Sequence, residues 1–151
     1  VLSPTSRPML FVRREDYTAA SSWRLLDWCL RRGADEFSLA FLGPPYVPGT
    51  EWAALDVLLA PFRRRVASAG DRWSLTGESA KALVDAFPGG LLGTDAERDM
   101  AAVRDPAFYR GGSLLLSVDT NAGEGRLALR HDDEVSLERS GLPFRRTGSM
   151  Y

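Results

Sequence analysis

The distribution of apolar positions between Met9 and Leu42 predicts a strand, a helix and a second strand. Met9–Val12 and Phe37–Leu42 are short, largely apolar runs that do not alternate cleanly between apolar and polar residues. Such runs are typical of strands that are covered on both faces. A strand–helix–strand unit of this length favours a βαβ crossover, which would make the two strands parallel and the crossover right-handed.

The segment between these runs has the periodicity of an amphipathic helix from about Thr18 to Arg32. Its apolar face carries Trp23, Leu26, Cys29 and Leu30, which recur at helical spacing. Thr18 or Asp16 is suited to cap the first turn by accepting a backbone N–H. Gly33 is suited to the left-handed position that follows the last turn.

Three further segments are predicted to be helical. Thr50 to about Ala69 has an apolar stripe, but Pro61 interrupts it, so the helix either kinks there or gives way to a second helix. Glu78–Phe87 also has helical spacing and is followed by Pro88. Thr94–Glu97 matches a capping box and predicts a short helix to Val103 or Arg104.

The last third of the chain has the alternation of antiparallel strands. Ser113–Val118 is an apolar strand, and Arg126–Arg130 and Val135–Glu138 alternate between apolar and polar residues. Turn-like segments at Asp119–Gly125 and His131–Glu134 separate them, which predicts a meander. We therefore expect one α+β domain over residues 1–151, with a loose lead-in at 1–8 and a tail at 142–151. Its sheet would be small, mixed and partly parallel, with packed helices and a C-terminal antiparallel β-meander.

Composition narrows the class of protein more than the function. The 151 residues are 44% hydrophobic and 26% charged, with a net charge of −1, which is ordinary for a globular domain and argues against bulk binding of nucleic acid. The single cysteine cannot form an internal disulfide, and no apolar run approaches the length of a membrane span. Lys81 is the only lysine among 19 basic residues, a bias expected of a GC-rich bacterial genome. We expect a bacterial, cytoplasmic protein.

Candidate catalytic and metal-binding motifs are incomplete. Asp119–Arg130 begins like a calcium loop, but Glu124 and Arg130 stand where that loop needs Gly and Glu. His131 is the only histidine, and Cys29 lies in a predicted core helix, so neither a zinc site nor a nucleophile–base pair can be assembled from the usual residues. We expect no metal and no cofactor, with Cys29 as a buried packing residue and His131 dispensable.

One anion-binding hypothesis remains open. Arg13 and Arg14 follow the first predicted strand, and Thr18 lies at the predicted start of the first helix. Ligands bind at strand ends in open parallel sheets, and helix N-termini attract anions. The alternative is that both arginines are solvated charges paired with Glu15 and Asp16.

Several residues are candidate contacts for a protein partner. Phe108 and Tyr109 belong to the irregular segment Gly89–Gly112, where they are either anchors for a partner or part of the core. The basic run at Arg63 and Arg64 would mark an acidic partner, unless it is only the solvated face of a helix. Trp28 and Trp73 are the tryptophans least constrained by the predicted stripes, and each is a candidate interface anchor.

The sequence thus favours a non-catalytic protein-binding module of the immunity, antitoxin or adaptor type, because the core patterning is sound and no site is assembled. The partner would be another protein or a second copy in a homodimer. The alternative is a small enzyme or anion-ligand-binding domain that uses Arg13, Arg14 and Thr18. Nucleic-acid binding is the third hypothesis.

Overall fold

The computed structural model describes residues 9–41, 51–66, 70–87, 89–92 and 103–146. At positions 41, 51–54, 65, 66, 70, 103 and 104 only the backbone is described. The predicted lead-in at 1–8, the proline-rich connection within 42–50 and the end of the tail at 147–151 lie outside the described residues.

Within these residues the chain forms eight strands and four α-helices. The strands are β1 Leu10–Arg13, β2 Glu36–Phe41, β3 Arg63–Val66, β4 Gly70–Ser74, β5 Val103–Arg110, β6 Ser113–Asp119, β7 Glu124–Leu127 and β8 Arg145–Arg146. The helices are α1 Ala19–Arg31, α2 Glu51–Leu59, α3 Gly77–Ala86 and α4 His131–Ser140.

All eight strands belong to one sheet in the order β3-β4-β2-β5-β6-β7-β1-β8, and every observed pairing is antiparallel. The predicted partly parallel sheet is therefore wrong. β1 and β2 run in the same direction, but β7, β6 and β5 lie between them. The α1 connection thus crosses over three strands instead of joining parallel neighbours, which the local pattern of either strand cannot reveal.

One row of directly opposed residues crosses the whole sheet and forms the centre of the core. Residues directly opposite each other in an antiparallel pair lie on the same face. From β3 to β8 the row is Arg63, Trp73, Phe37, Phe108, Leu116, Leu127, Leu10 and Arg146. Its six inner members are buried, and the two arginines at the ends are exposed.

The helices are joined to this core face. Asp56 of α2 pairs with Arg63, Asp133 of α4 pairs with Arg110, and Glu134 of α4 pairs with Arg146, so each ion pair uses a core-face strand residue. Among the described residues, none of the four α-helices makes a hydrogen bond or ion pair with a side chain on the opposite face, whereas Asp16 of the 3-10 turn Arg14–Asp16 pairs with Arg145 there. We call that opposite face the polar face; it carries Phe11, Glu36, Ser38, Arg64, Arg72, Tyr109, Ser117, Arg126 and Arg145.

Helix α1 confirms the prediction from its pattern. Thr18 is the N-cap, and its side chain accepts a hydrogen bond from the Ser21 N–H in a capping box. Its buried residues are Ser22, Leu25, Leu26, Trp28 and Cys29. Gly33 has φ +98°, so the left-handed turn that ends the helix is also confirmed. Helix α3 likewise matches the predicted helix at Glu78–Phe87 within one residue at each end.

The predicted helix from Thr50 to Ala69 is wrong beyond its first half. Helix α2 ends at Leu59, and a 3-10 turn at Ala60–Phe62 follows, with Pro61 in its first turn. Proline cannot donate the N–H that would continue the α-helix. The basic run therefore lies on strand β3, where Arg63 and Arg64 point to opposite faces of the sheet.

The last predicted strand, Val135–Glu138, is also wrong, because it belongs to helix α4. The predicted turn at His131–Glu134 is the first turn of that helix. Three acidic residues there, Asp132, Asp133 and Glu134, favour the positive end of the helix dipole. Gly141 has φ +77° and ends the helix. In the predicted tail, Leu142 is buried and Arg145–Arg146 forms the edge strand β8.

The described parts of the Gly89–Gly112 segment are irregular only at residues 89–92 and at the 111–112 turn. Val103–Arg110 is strand β5, so Phe108 and Tyr109 lie on a central strand of the sheet. The helix predicted from the capping box at Thr94–Glu97 falls mostly on residues 93–102, outside the described part of the chain. Its predicted end at Val103 or Arg104 is wrong, because both residues belong to strand β5. Strand β5 pairs with β6 and β7 follows, so the antiparallel meander begins earlier than predicted and continues into β1.

Gly125 provides a test of how tightly the core face is packed. It lies opposite both Val12 and Val118, and an ideal Cβ on it would be 2.8 Å from Val12 Cγ2 and 3.1 Å from Leu116 Cδ1. We expect Gly125→Ala to lower the free energy of unfolding by about 1–3 kcal/mol through overpacking, measured by urea denaturation. Gly77→Ala is the control, because no atom would lie within 4 Å of its Cβ. Equal stability of the two variants would contradict this packing.

Candidate functional site

The best-organised polar group on the polar face lies where strands β3, β4, β2 and β5 meet. Arg64 and Arg72 are directly opposite each other on β3 and β4. An Arg64 guanidinium nitrogen donates to Glu36 Oε2 at 3.0 Å, and an Arg72 guanidinium nitrogen lies 3.5 Å from Glu36 Oε1. The Glu36 carboxylate therefore lies between two guanidinium groups.

Tyr109 and Ser38 complete this group, which we call the arginine cluster: Glu36, Ser38, Arg64, Arg72 and Tyr109. The Arg72 guanidinium carbon is 3.7 Å from the centroid of the Tyr109 ring, the distance of a stacked cation–π pair. The hydroxyls of Tyr109 and Ser38 are 3.0 Å apart and share a hydrogen bond. The hydroxyl bond fixes the Tyr109 ring, and the ring in turn holds Arg72 in one orientation on the sheet.

The arginine cluster carries one more positive charge than its carboxylate neutralises. The Glu36 and Arg72 side chains are each only 11% exposed, whereas Arg64 is 51% exposed. The Nε–H of Arg72 is buried and has no hydrogen-bond acceptor among the described residues. Like charges directly opposite in a sheet are unfavourable, so the site favours a bound anionic group.

The side chains of the arginine cluster are hydrogen-bond donors and an aromatic ring grouped around one carboxylate. The cluster offers guanidinium donors, two hydroxyls and an aromatic face, which bind planar anions. Its carboxylate is a counter-ion to two arginines. His131 and Cys29 lie on helices α4 and α1, whose strand contacts are on the other face of the sheet.

Two of the predicted partner contacts, Tyr109 and Arg64, belong to this cluster. Three others, Phe108, Trp28 and Trp73, are at most 2% exposed and lie in the core. Trp73 and Phe108 flank Phe37 with ring-centroid distances of 5.6 and 6.4 Å, and Trp28 donates its indole N–H to Ser136. We therefore leave these three out of the candidate surface.

Arg63, the remaining predicted contact, lies on the core-face side of β3. Its guanidinium is 3.1 Å from Asp56 and 3.9 Å from Asp71, so it joins the sheet edge to α2. The other members of the arginine cluster, Glu36, Ser38 and Arg72, were not predicted as site residues from the sequence. Their only local signal is the alternation of polar residues with Phe37, Leu39 and Trp73, and their proximity depends on strand pairing.

The three residues of the predicted anion site are engaged with other groups. The Thr18 side chain is used in the capping box of α1. Arg13 is 3.8 Å from Glu15, its proposed partner, and the Arg14 side chain packs against Gly123 of the β6–β7 turn. Because the sheet is antiparallel, these residues also do not lie at a shared edge of parallel strand ends. No described feature favours an anion there over the arginine cluster.

A second charged cluster, around Asp133, is structural. The buried Asp133 side chain accepts hydrogen bonds from Arg110 at 2.8 and 2.9 Å, from Arg32 at 2.9 Å and from the Arg130 backbone N–H at 2.9 Å. Burial raises the pKa of Asp133, but these donors outweigh it and hold the pKa far below its usual range. One carboxylate thus caps α4 and joins it to β5 and to the end of α1.

No family model matches this chain, and neither the curated proteins nor the solved structures contain a detectable match. None of the described helices has the length and apolar character needed to cross a membrane. The described residues also contain no group of three or more His, Cys, Asp or Glu side chains placed to hold a metal ion.

Asp133 makes stability depend on pH. Asp133→Asn should cost about 3–5 kcal/mol at pH 7, because Arg32 and Arg110 would lose a buried counter-charge. The folded-state pKa is lowered, so this stabilisation is complete above the unfolded pKa of about 4 and is lost as the pH falls towards the folded value. The difference between the urea midpoints of the two proteins should therefore be constant above about pH 5 and shrink progressively as the pH falls below about 4. Asp132→Asn, at a 69% exposed position, is the control and should change stability little at either pH.

Cys29 should behave as a packing residue. Its thiol is fully buried, and burial raises its pKa to about 12, so the reactive thiolate is scarce at neutral pH. A maleimide should label the unfolded protein rapidly and the native protein only as fast as it unfolds. Cys29→Ala should cost about 1–2 kcal/mol by leaving a small cavity. Fast labelling of the native thiol would contradict this role.

Proposed function

We propose that this chain is a non-catalytic protein-binding module that contacts its partner through the polar face of the sheet. The observation that carries the proposal is the Arg72–Tyr109 stack, held by Glu36 and Ser38 on the face opposite the helices. Tyrosine and arginine are the residue types most enriched at the energetic centres of protein interfaces.

The cluster has the layout of an interface centre. Arg72 and Glu36 are largely buried in the free chain, so little side-chain entropy would be lost when a partner covers them. Arg64 lies beside them and is about half exposed, which leaves it accessible to a partner. A preorganised centre with an accessible polar rim supports binding of a protein surface.

A second aromatic residue extends the same face. Phe11 of β1 is partly buried and lies directly opposite Arg126 on β7 and Arg145 on β8. The Arg13 guanidinium carbon is 5.3 Å from the Phe11 ring centroid. Arg126 is exposed and has no ion-pair partner among the described residues. Aromatic and arginine side chains therefore lie at both ends of the polar face.

The type of binding role, the cellular setting and the kind of partner are also proposals. A bacterial cytoplasm as the setting is supported by the arginine-for-lysine bias and by a single buried, free thiol, which suits a reducing compartment. Within that setting we propose an immunity, antitoxin or adaptor role. The partner is either another protein or a second copy of this chain. Sedimentation of the purified protein over a range of concentrations separates these two.

The polar face can be tested by capture from the source cell. Wild-type protein on a matrix should retain a specific protein, and Tyr109→Ala with Arg64→Ala should lower that retention by about tenfold, because both changes remove interface-centre groups. The comparison variant is Arg139→Ala, which removes an exposed arginine from helix α4 on the other side of the sheet.

Melting temperatures of all variants identify losses that come from unfolding. If the folded double variant Tyr109→Ala, Arg64→Ala still captures the protein, or if only Arg139→Ala loses it, the interface does not lie on the polar face and the proposal is wrong. A wild-type protein that retains nothing and sediments as a monomer at every concentration would contradict protein binding.

A further inference from the structure

We infer that the arginine cluster receives a carboxylate from an acidic side chain of the partner protein. This inference rests on the proposed function and names the chemistry that the partner presents. It is carried by three features of the cluster: its surplus charge, its unused donors and its position near a sheet edge.

The surplus charge is the first step. Arg64 and Arg72 face each other across β3 and β4, and Glu36 is the only carboxylate paired with either among the described residues. Two positive charges and one negative charge leave a surplus of one. Arg72 is largely buried, where an uncompensated charge is costly. A group with a single negative charge would neutralise the cluster, whereas a phosphate dianion would overshoot it.

The unused donors are the second step. The Arg72 Nε–H is buried and has no acceptor among the described residues. Arg64 uses one terminal nitrogen on Glu36, so its other N–H groups are available at a half-exposed side chain. The hydroxyl pair of Tyr109 and Ser38 shares one hydrogen and has a second to donate. A carboxylate, with two acceptor oxygens in one plane, matches such donors.

The position is the third step. Strand β3 is an edge strand of the sheet, and Arg64 reaches from it over the polar face towards Glu36 on β2, two strands away. A segment of another protein laid across this edge can bring an Asp or Glu side chain to Arg64 without displacing a helix, because the helices contact the other face. Charge complementarity thus selects an acidic protein segment as the occupant.

The test uses a hexaglutamate peptide as the probe, with hexaglutamine and inorganic phosphate as comparisons. The side-chain Nε–H resonances of Arg64 and Arg72, and the Tyr109 amide, are followed by NMR in the folded protein at constant ionic strength. We expect hexaglutamate to shift all three signals in a saturable way, phosphate to act more weakly, and hexaglutamine to have no effect.

Two substitutions give opposite signs, which a purely structural ion-pair cluster would not produce. Arg64→Gln should weaken hexaglutamate binding by about tenfold, because it removes a charge-assisted donor. Glu36→Gln should strengthen binding, because it removes the carboxylate that competes for the same guanidinium groups. Arg139→Gln is the matched control and should leave the affinity unchanged. If Glu36→Gln does not fold, Arg64→Gln at its half-exposed position still decides the question.

Absence of a response at Arg64 and Arg72 would overturn the inference, as would hexaglutamate binding that ignores Arg64→Gln. Saturable binding of phosphate without hexaglutamate would assign the cluster to a small anion and would also overturn it. The two proposals fail separately. Capture that depends on Tyr109 but is not competed by hexaglutamate removes only this inference, whereas hexaglutamate binding with no captured protein and no self-association removes the proposed function.

Discussion

The register of the antiparallel sheet is the constraint on which the rest of this structure depends. One residue from each strand, from Arg63 to Arg146, forms the row that builds the core. Because side chains alternate between faces, a slip of one residue in β2 would move Phe37 to the polar face and Glu36 into the apolar core, away from its arginine partners. The same register that stacks Phe37 between Trp73 and Phe108 also assembles the arginine cluster on the reverse side. The core and the arginine cluster therefore depend on the same alignment of the strands.

Asp133 links this sheet to its helical layer. Its carboxylate caps the first turn of α4 and is paired with Arg110 of β5 and Arg32 at the end of α1. A buried carboxylate between two arginines resembles Glu36 in the other cluster, but the two clusters differ in how fully their hydrogen-bonding groups are satisfied. Asp133 also accepts a backbone N–H and is fully buried, whereas the Glu36 cluster retains a buried donor and a half-exposed arginine. The first arrangement suits a permanent contact, and the second suits an exchangeable one.

The sequence predicted the elements whose signals are local. Thr18 and Gly33 bound α1 as predicted. Pro61 was recognised as an interruption, but the helix predicted beyond it is a 3-10 turn followed by strand β3. Sheet topology was mispredicted because the pattern of β1 and β2 does not say which strands pair with them. Helix α4 was mispredicted as a strand because Val135 and Leu137 alternate with polar residues. The acidic first turn and Gly141 are nevertheless typical of a helix start and a helix end. For the candidate site, Tyr109 and Arg64 were named from the sequence. Glu36 and Arg72 could not be joined to them, because only strand pairing makes them neighbours.

An open sheet of eight strands has two edges, and each exposes backbone groups that can template another strand. Here the edge strands β3 and β8 are dominated by arginine, including Arg63, Arg64, Arg145 and Arg146. These arginines are ion-paired within the chain, Arg63 with Asp56, Arg145 with Asp16 and Arg146 with Glu134. A strand added at either edge would have to disturb these charged pairs, so growth of the sheet from chain to chain is disfavoured. The charged residues at the ends of the core row thus protect both edges of the sheet against pairing with another chain.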